Sequence, residues 1–386
     1  MNDTLKLTDH QVLRHAQDLL GEHLPLTAQG TCCTTAELIQ ALLGVAVNRS
    51  TLEAVCTDWI AAPDPETVRR YLNEQLCVED LPELERRLNA ALHAEIPHRV
   101  WRQARKVAID FHDRPYYGKQ AQAAGRWVRG QARDGTTRFY RIVTAYVIVN
   151  GLRVTLALRF VLPERDVVSL LEDLLKSLKK QGLQIACLLL DKGFASIAVM
   201  DYLTGHRQPA LIACPIRGKT GGTRALCRGR KSYRTRHTFV SGDQTFTASL
   251  AVCRSFTTAK RTKRLKRREV WLLYILIELD LTPRQARRWY RKRFGIESSY
   301  RCAGQVRGWT TSPNPAYRFV LIAVSFVLLN VWVHLCWLYA QVPRRGRRWL
   351  KATVFQLGRL VKFLRRALEQ RYGGVATIYA VAAPRL

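Results

Sequence analysis

Residues 105–111, RKVAIDF, mark a change of period in this chain. Val107, Ala108 and Ile109 are consecutive apolar residues, and the run stops at Asp110. A short apolar run closed by a polar residue reads as a buried strand. A second such run, Leu183–Leu190, is closed by Asp191. Between the two, Arg138–Asn150 and Leu152–Leu162 are rich in Val, Ile, Tyr and Thr and meet at Asn150-Gly151. Asn-Gly supplies the two left-handed residues of a tight hairpin turn. Asp166–Lys180 is an amphipathic helix, Ile197–Leu203 is helical, and Pro209–Cys214 is a further strand. The order strand, hairpin, helix, strand, helix, strand predicts a mixed α/β sheet.

Upstream, residues 8–95 read as helices. Thr34-Thr35-Ala36-Glu37 and Ser50-Thr51-Leu52-Glu53 have the form of capping boxes. Asp64-Pro65-Glu66 opens a third helix with Asp64 as cap. That helix carries Thr67, Arg69, Arg70 and Tyr71, which makes it a candidate recognition helix of a helix-turn-helix with Arg69 and Arg70 on DNA. A plain helical bundle is the alternative, and it suits the acidic balance of residues 1–100, where 15 Asp and Glu face 8 Lys and Arg.

The whole chain is far from neutral. Its 386 residues suffice for two or three domains. Hydrophobic residues at 47% and charged residues at 24% exclude a wholly disordered or collagen-like chain. The formal net charge is +32, which demands a polyanionic partner, nucleic acid or an anionic membrane surface. Residues 215–268 concentrate it, with 16 Lys and Arg against Asp243 alone. Short Thr/Val/Phe runs there, His237–Val240 and Phe246–Cys253, suggest strands between basic loops, and Val270–Leu279 closes the region as an apolar strand.

Phe319–Ala340 is 22 residues without Lys, Arg, Asp or Glu, long enough to span a bilayer. Arg344, Arg345, Arg347 and Arg348 follow it as a positive flank would. A helix apolar on all sides and buried in a large core is the other reading, and it is the one expected, with no membrane association. The ten cysteines form no C-x-x-C pair or zinc spacing, and the N-terminal residues lack the pattern of a signal peptide. Reduced thiols in a cytoplasmic protein are expected.

Two carboxylates at the ends of buried strands, Asp110 and Asp191, can converge on one sheet edge, and hard divalent cations such as Mg²⁺ take such oxygen ligands. A strand-end cap is the structural alternative for either alone. Thr282-Pro283 opens a helix expected to run to about Gly304. On it Tyr290, Arg293, Glu297, Tyr300 and Arg301 are spaced to share a face. Taken by itself, that spacing equally suits a surface ion network of Glu297 with Arg293 and Arg301. Asp113 is a rival ligand, but an ion pair with Arg114 is the simpler reading, and His112 reads as a packed or hydrogen-bonding neighbour.

The run YRKRFGIESSYR, residues 290–301, resembles the Y-x2-R-x3-E signature of insertion-sequence transposases with a DDE catalytic triad, and more narrowly their halophile-type branch. VAIDFHDRPYYGK (107–119) resembles the first-aspartate segment of that superfamily and LLLDKGFASIAVMDYL (188–203) the second. The similarity spans about residues 105–340. It implies an RNase H-like catalytic core with a β-rich insertion between the second Asp and the Glu, preceded here by a helical N-terminal domain. It further implies that Asp110, Asp191 and Glu297 hold two Mg²⁺ ions, with Mn²⁺ as a substitute, while Tyr290 and Arg293 grip a phosphate. The basic residue seven positions after the signature Glu falls on Gly304 here, so Arg301 or Arg307 is the candidate to replace it.

The resulting expectation is a DNA transposase that cuts element ends and joins the freed 3′-hydroxyl to target DNA. A metal-dependent nuclease without strand transfer and a non-catalytic basic DNA-binding protein are the alternatives. The expected partners are double-stranded DNA, both terminal inverted repeats and target, and a second copy in a homodimeric DNA complex. Lys263, Arg264, Lys266 and Arg267 are expected on the DNA backbone. The expected organisation is a helical domain at 1–100, the first part of the core at 101–214, the basic insertion at 215–280, core completion at 281–340 and a basic C-terminal region at 341–386. A prokaryotic, nucleoid-associated location follows from the same reading.

Overall fold

The computed structural model describes residues 6–118, 126–261, 264–291, 293, 300–342, 349–351 and 353–378. The chain forms two compact units, one from residues 1–96, 116–127 and 299–386, the other from 97–115 and 128–298.

The first unit is helical apart from small strand pairs such as β1 (Gln29–Gly30) with β2 (Cys33–Thr34). Its caps follow from the sequence. Thr34 Oγ1 accepts from Glu37 N, and the Glu37 carboxylate accepts from Thr34 N at 2.7 Å, opening Thr35–Asn48. Asp64 accepts from Thr67 N at 2.8 Å and opens Pro65–Gln75. The box expected at Ser50–Glu53 is displaced by one residue. Arg49 is left-handed (φ 53°), and Ser50 N donates to Val45 O, so Ser50 closes the preceding helix. Thr51 then caps Leu52–Thr57, accepting from Ala54 N at 3.3 Å, while Glu53 turns to Arg69 at 2.6 Å.

The long apolar helix Pro315–Tyr339 lies in this unit, capped by Asn314 Oδ1. It is long and apolar enough to cross a membrane, but 89% of its most apolar stretch is buried inside the chain. Its covering includes Thr35–Asn48, Leu81–Ala94 and the last helix, Leu357–Tyr372. Three of its polar groups also find protein partners. Asn330 Nδ2 donates to Leu92 O at 3.0 Å, Ser325 Oγ to Ile322 O at 2.6 Å and Trp332 Nε1 to Phe355 O at 2.8 Å. Asn330 is thus satisfied by a neighbouring helix, Ser325 within its own helix and Trp332 by the turn before Leu357–Tyr372, as buried polar groups of a core helix require, while Trp337 Nε1 has no partner among the described residues.

The second unit is built on one mixed sheet. Its strands are β3 (Arg105–Pro115), β4 (Val128–Arg133), β5 (Thr136–Val149), β6 (Leu152–Val161), β7 (Ile185–Leu190), β8 (Ala210–Cys214), β9 (Tyr233–Ser241), β10 (Gln244–Arg261) and β11 (Arg264–Ile277). The order is β4-β5-β3-β7-β8-β11-β10-β9, with β6 also on β5. The pairs β3–β7 and β7–β8 are parallel and the rest antiparallel. Helices Val167–Lys180 and Ile197–Gly205 make the two crossovers, as parallel neighbours require. The β5–β6 hairpin turns at Asn150 and Gly151, with φ of 52° and 80°, as the Asn-Gly pair predicts.

Two strand expectations are corrected. β3 does not end beside Asp110; it runs on to Pro115, because β5 keeps pairing with it as far as Pro115↔Phe139 after β7 has stopped. The strand expected at Val270–Leu279 is shifted: β11 starts inside the basic segment at Arg264 and ends at Ile277, on the same sheet. β11 pairs with β8 at Leu273–Ile277, and beyond Cys253↔Leu272 the β10–β11 pair continues as a ribbon to Arg261↔Arg264.

Gly44 tests the packing of the helical unit. A Cβ there would lie 2.4 Å from the ring of Trp59, itself buried and stacked on Tyr372 with centroids 4.7 Å apart. Gly44→Ala should lower stability by about 1–3 kcal/mol through overpacking. Gly21 is helical with nothing within 4 Å of a Cβ, so Gly21→Ala should add about 0.5–1 kcal/mol. Thermal unfolding followed by circular dichroism reads both; shifts of the same sign would contradict this packing.

Candidate active site

The last parallel pair between β3 and β7 is Ile109↔Leu190, and the next residue on each strand is an aspartate. Sheet register therefore sets Asp110 and Asp191 side by side where the buried part of the parallel ladder ends. The chain turns away after Asp191 into a short 3₁₀ turn, Lys192–Phe194, and Phe194 stacks on Phe111 with centroids 4.7 Å apart. That stack anchors the loop behind Asp191 to the strand that carries Asp110.

Between the carboxylates lies Arg293. Its Nη2 is 2.8 Å from Asp110 Oδ1 and its Nη1 is 3.4 Å from Asp191 Oδ1. Arg293 and Asp110 are 13% and 16% exposed, so this is a largely desolvated pairing. Arg293 is fixed at its guanidinium and at its backbone. Arg293 Nη1 donates to Tyr290 Oη at 3.0 Å, and Tyr146 Oη donates to Arg293 O at 2.8 Å. Tyr290 in turn packs on Tyr274, centroids 4.8 Å apart. Burial pushes the Asp110 carboxyl up to about 6, with Asp191 adding to the rise and Arg293 opposing it. Burial likewise raises the Tyr290 phenol, which stays a neutral hydrogen-bonding group.

The helix Pro283–Arg291 brings Tyr290 here. It opens on Thr282, which accepts from Gln285 N while Gln285 Oε1 accepts from Thr282 N. Ala286 and Tyr290 are its buried residues. Glu297 lies outside the described residues, as does Lys263; the side chains of Arg264, Lys266 and Arg267 do also, although their backbone forms the end of the β10–β11 ribbon. Arg301 and Arg307 belong to the helical unit. Arg301 is exposed; Arg307 is half-buried above Trp309, and burial with the charge of Arg49 lowers it to about 10. Arg69 is engaged by Glu53 and Glu66 on the surface, and Arg70 lies over the Tyr71 ring.

Asp113 is ion-paired, but not with its chain neighbour Arg114. Alternation along β3 puts Asp113 opposite Arg141 of β5, and Arg141 holds it in a two-pronged pair at 2.7 and 3.0 Å. A cross-strand partner directly opposite outcompetes an adjacent residue whose side chain points to the other face.

Sequence reading overlooked one feature. Arg284, Arg287, Arg288 and Arg291, with Arg254 from β10, line a cavity of about 470 Å³. The spacing i, i+3, i+4, i+7 on one helix was the signal. Tyr146 and Tyr274 left no comparable signal, since both are aromatic residues inside strands.

The donor set fits a metal ion. Two carboxylates already share one cation, the guanidinium, and carboxylate oxygens suit hard divalent ions such as Mg²⁺ or Mn²⁺. A dication would also remove the Asp110–Asp191 repulsion that contributes to the raised Asp110.

Comparison with known proteins identifies the family and the fold. The transposase DDE domain family matches residues 101–317. Among solved structures, the piggyBac transposase synaptic complex with hairpin DNA is similar, with a TM-score of 0.52 at 10% identity, covering 97% of this chain and 81% of that one. No curated protein matches. The chain belongs to the transposase DDE domain family, and its sheet unit is an RNase H-like α/β core.

The raised Asp110 has a consequence for stability. Its carboxyl titrates near 3.8 when unfolded and near 6 when folded. The folded state therefore holds the proton more tightly, and this contribution, present below about 4, is lost as pH rises through 6. Asp110→Asn should make the metal-free protein more stable at pH 7.5, on the order of 1–3 kcal/mol, and leave it nearly unchanged at pH 4. Chemical denaturation at the two pH values measures this; an equal effect at both would contradict the burial of Asp110.

Proposed function

We propose that this transposase cuts DNA at the ends of a mobile element and joins the freed 3′-hydroxyl to target DNA by two-metal phosphoryl transfer. The observation that carries the reading is the pair Asp110 and Asp191, held by one guanidinium at the ends of adjacent parallel strands. Asp110, Asp191 and Glu297 would hold Mg²⁺ or Mn²⁺, probed as two ions. Bound there, the metals supply positive charge to the attacking and leaving oxygens of the phosphodiester.

The residues of the chain account for the rest. Arg293 holds the two carboxylates together before metal arrives. Its Nε is buried without a hydrogen-bond partner among the described residues, so a donor remains for a phosphate oxygen once the carboxylates are taken over. Tyr290 fixes the guanidinium in either state. Water attacks the first phosphodiester, and the 3′-hydroxyl so freed attacks the target phosphate. The arginines around the cavity beside Pro283–Arg291 and the basic β10–β11 ribbon would follow the DNA backbone; phosphate neutralisation of this kind dominates affinity for duplex DNA. Synapsis of two element ends in a homodimer, at the bacterial or archaeal nucleoid in the cytoplasm, completes the reading.

A duplex carrying the DNA that flanks the reading frame, incubated with protein and Mg²⁺, tests it. Wild-type protein should give cut ends and strand-transfer products. Cut ends alone would mean a nuclease; no cleavage would mean a DNA-binding protein. Glu297→Gln should abolish cleavage and leave binding intact or slightly tighter, because an amide cannot replace the third carboxylate. Arg293→Ala should keep metal binding and lose phosphate contact on the order of 1.5–3 kcal/mol. If Glu297 only made a surface ion pair, worth about 0–1 kcal/mol, Glu297→Gln protein would cut at a near-normal rate.

Neutralising Lys263, Arg264, Lys266 and Arg267 together should reduce the slope of log affinity against log salt by about 3–4. Fluorescence anisotropy between low and moderate salt measures the slope; an unchanged value removes the ribbon from the interface.

A further inference from the structure

Three ligand-type side chains converge in the helical unit, on residues that the DDE site does not use. His15 comes from the helix Asp9–His23, Glu95 from the C-cap of Leu81–Ala94, and His334 from the apolar helix. His15 Nε2 is 3.1 Å from Glu95 Oε2, and His334 Nδ1 is 3.6 Å from the same oxygen. All three donor atoms lie within 4.8 Å of one another, and the two imidazoles stack at 5.8 Å. Glu95 is 5% exposed, whereas the histidine side chains are 37% and 27% exposed, so the cluster opens to solvent on the histidine side.

One buried carboxylate needs one partner, and a single histidine would serve. Two imidazoles turned on the same oxygen, from helices far apart in sequence, form a ligand set. A tetrahedral zinc site with bonds near 2.0–2.1 Å has ligand–ligand edges of about 3.3–3.4 Å, and the separations of 3.1 and 3.6 Å bracket that value. Two nitrogens and one carboxylate oxygen, with a fourth position open to water, suit a borderline ion and not Mg²⁺. We propose that His15, Glu95 and His334 bind one divalent transition-metal ion of the zinc type, which staples the first helix and the end of Leu81–Ala94 to the apolar helix. The competing arrangement is the metal-free contact of His334 Nδ1 with Glu95 O at 3.2 Å; binding requires that nitrogen to be deprotonated, with the ring proton on Nε2.

The test uses full-length, metal-stripped protein carrying Asp191→Asn, so that the carboxylate site is weakened, titrated with Co²⁺ as spectroscopic probe. The expected result is one equivalent bound, with a visible absorption band of a four- or five-coordinate ion. His15→Gln and His334→Gln should each abolish the band with unchanged far-UV circular dichroism. Zn²⁺ should raise the melting temperature of the parent and not of either variant. A parent without the band, or a band that survives both substitutions, overturns the proposal. Should a variant fail to fold, X-ray absorption at the zinc edge of the unmodified protein with one equivalent bound decides: two imidazoles and one carboxylate oxygen support the site, and sulfur neighbours overturn it.

Discussion

Two carboxylates at the end of a buried parallel ladder repel each other and lose hydration, so a cation must sit between them. Arg293 is that cation here, and the sheet unit is arranged to hold it. The Ile109↔Leu190 register fixes the spacing of the aspartates, the Phe111–Phe194 stack fixes the loop behind Asp191, and Tyr146 and Tyr290 fix the arginine. On the proposed reading, the stability lost by burying Asp110 is the cost of a site ready to exchange a monovalent cation for a divalent one. The same exchange would release Arg293 toward phosphate, which couples metal loading to DNA contact through one side chain.

Charge is sorted along the chain in a way that serves this. The first hundred residues are acidic in balance and supply the N-terminal part of the helical unit, where ion pairs such as Arg69–Glu53 and Arg87–Glu83 occupy the surface. The basic excess falls on strands that prolong the sheet, on the helix Pro283–Arg291, and on residues 299–386 of the helical unit, where 14 Lys and Arg face Glu369 alone. Much of the positive charge thus sits on elements continuous with the carboxylate edge.

The sheet was legible because the apolar runs of β3 and β7 each reach an aspartate and the β5–β6 hairpin carries a turn dipeptide. Asp191 and the Asn150-Gly151 turn needed no tertiary information. The full length of β3 did need it: residues 111–115 are mixed in polarity and are strand only because β5 pairs with them. The partner of Asp113 was misread for the same reason, since cross-strand register is a property of two strands. The cap of Leu52–Thr57 was displaced by the closing turn of its neighbour, a local competition that a motif match does not weigh. In the site, the aspartates were legible from their strand ends and Tyr290 and Arg293 from a family resemblance, while Tyr146 and Tyr274 left no signal; Glu297, expected from the same resemblance, lies outside the described residues. The His15–Glu95–His334 cluster spans more than three hundred residues, and nothing in the local sequence joins its members.

Anomalous diffraction at the manganese edge from crystals equilibrated with Mn²⁺ tests the central claim most directly. A peak between the carboxylates of Asp110 and Asp191, with the Arg293 guanidinium displaced from both, is the predicted result. Arg293 still bridging the two aspartates at saturating Mn²⁺, with no anomalous density between them, would contradict it.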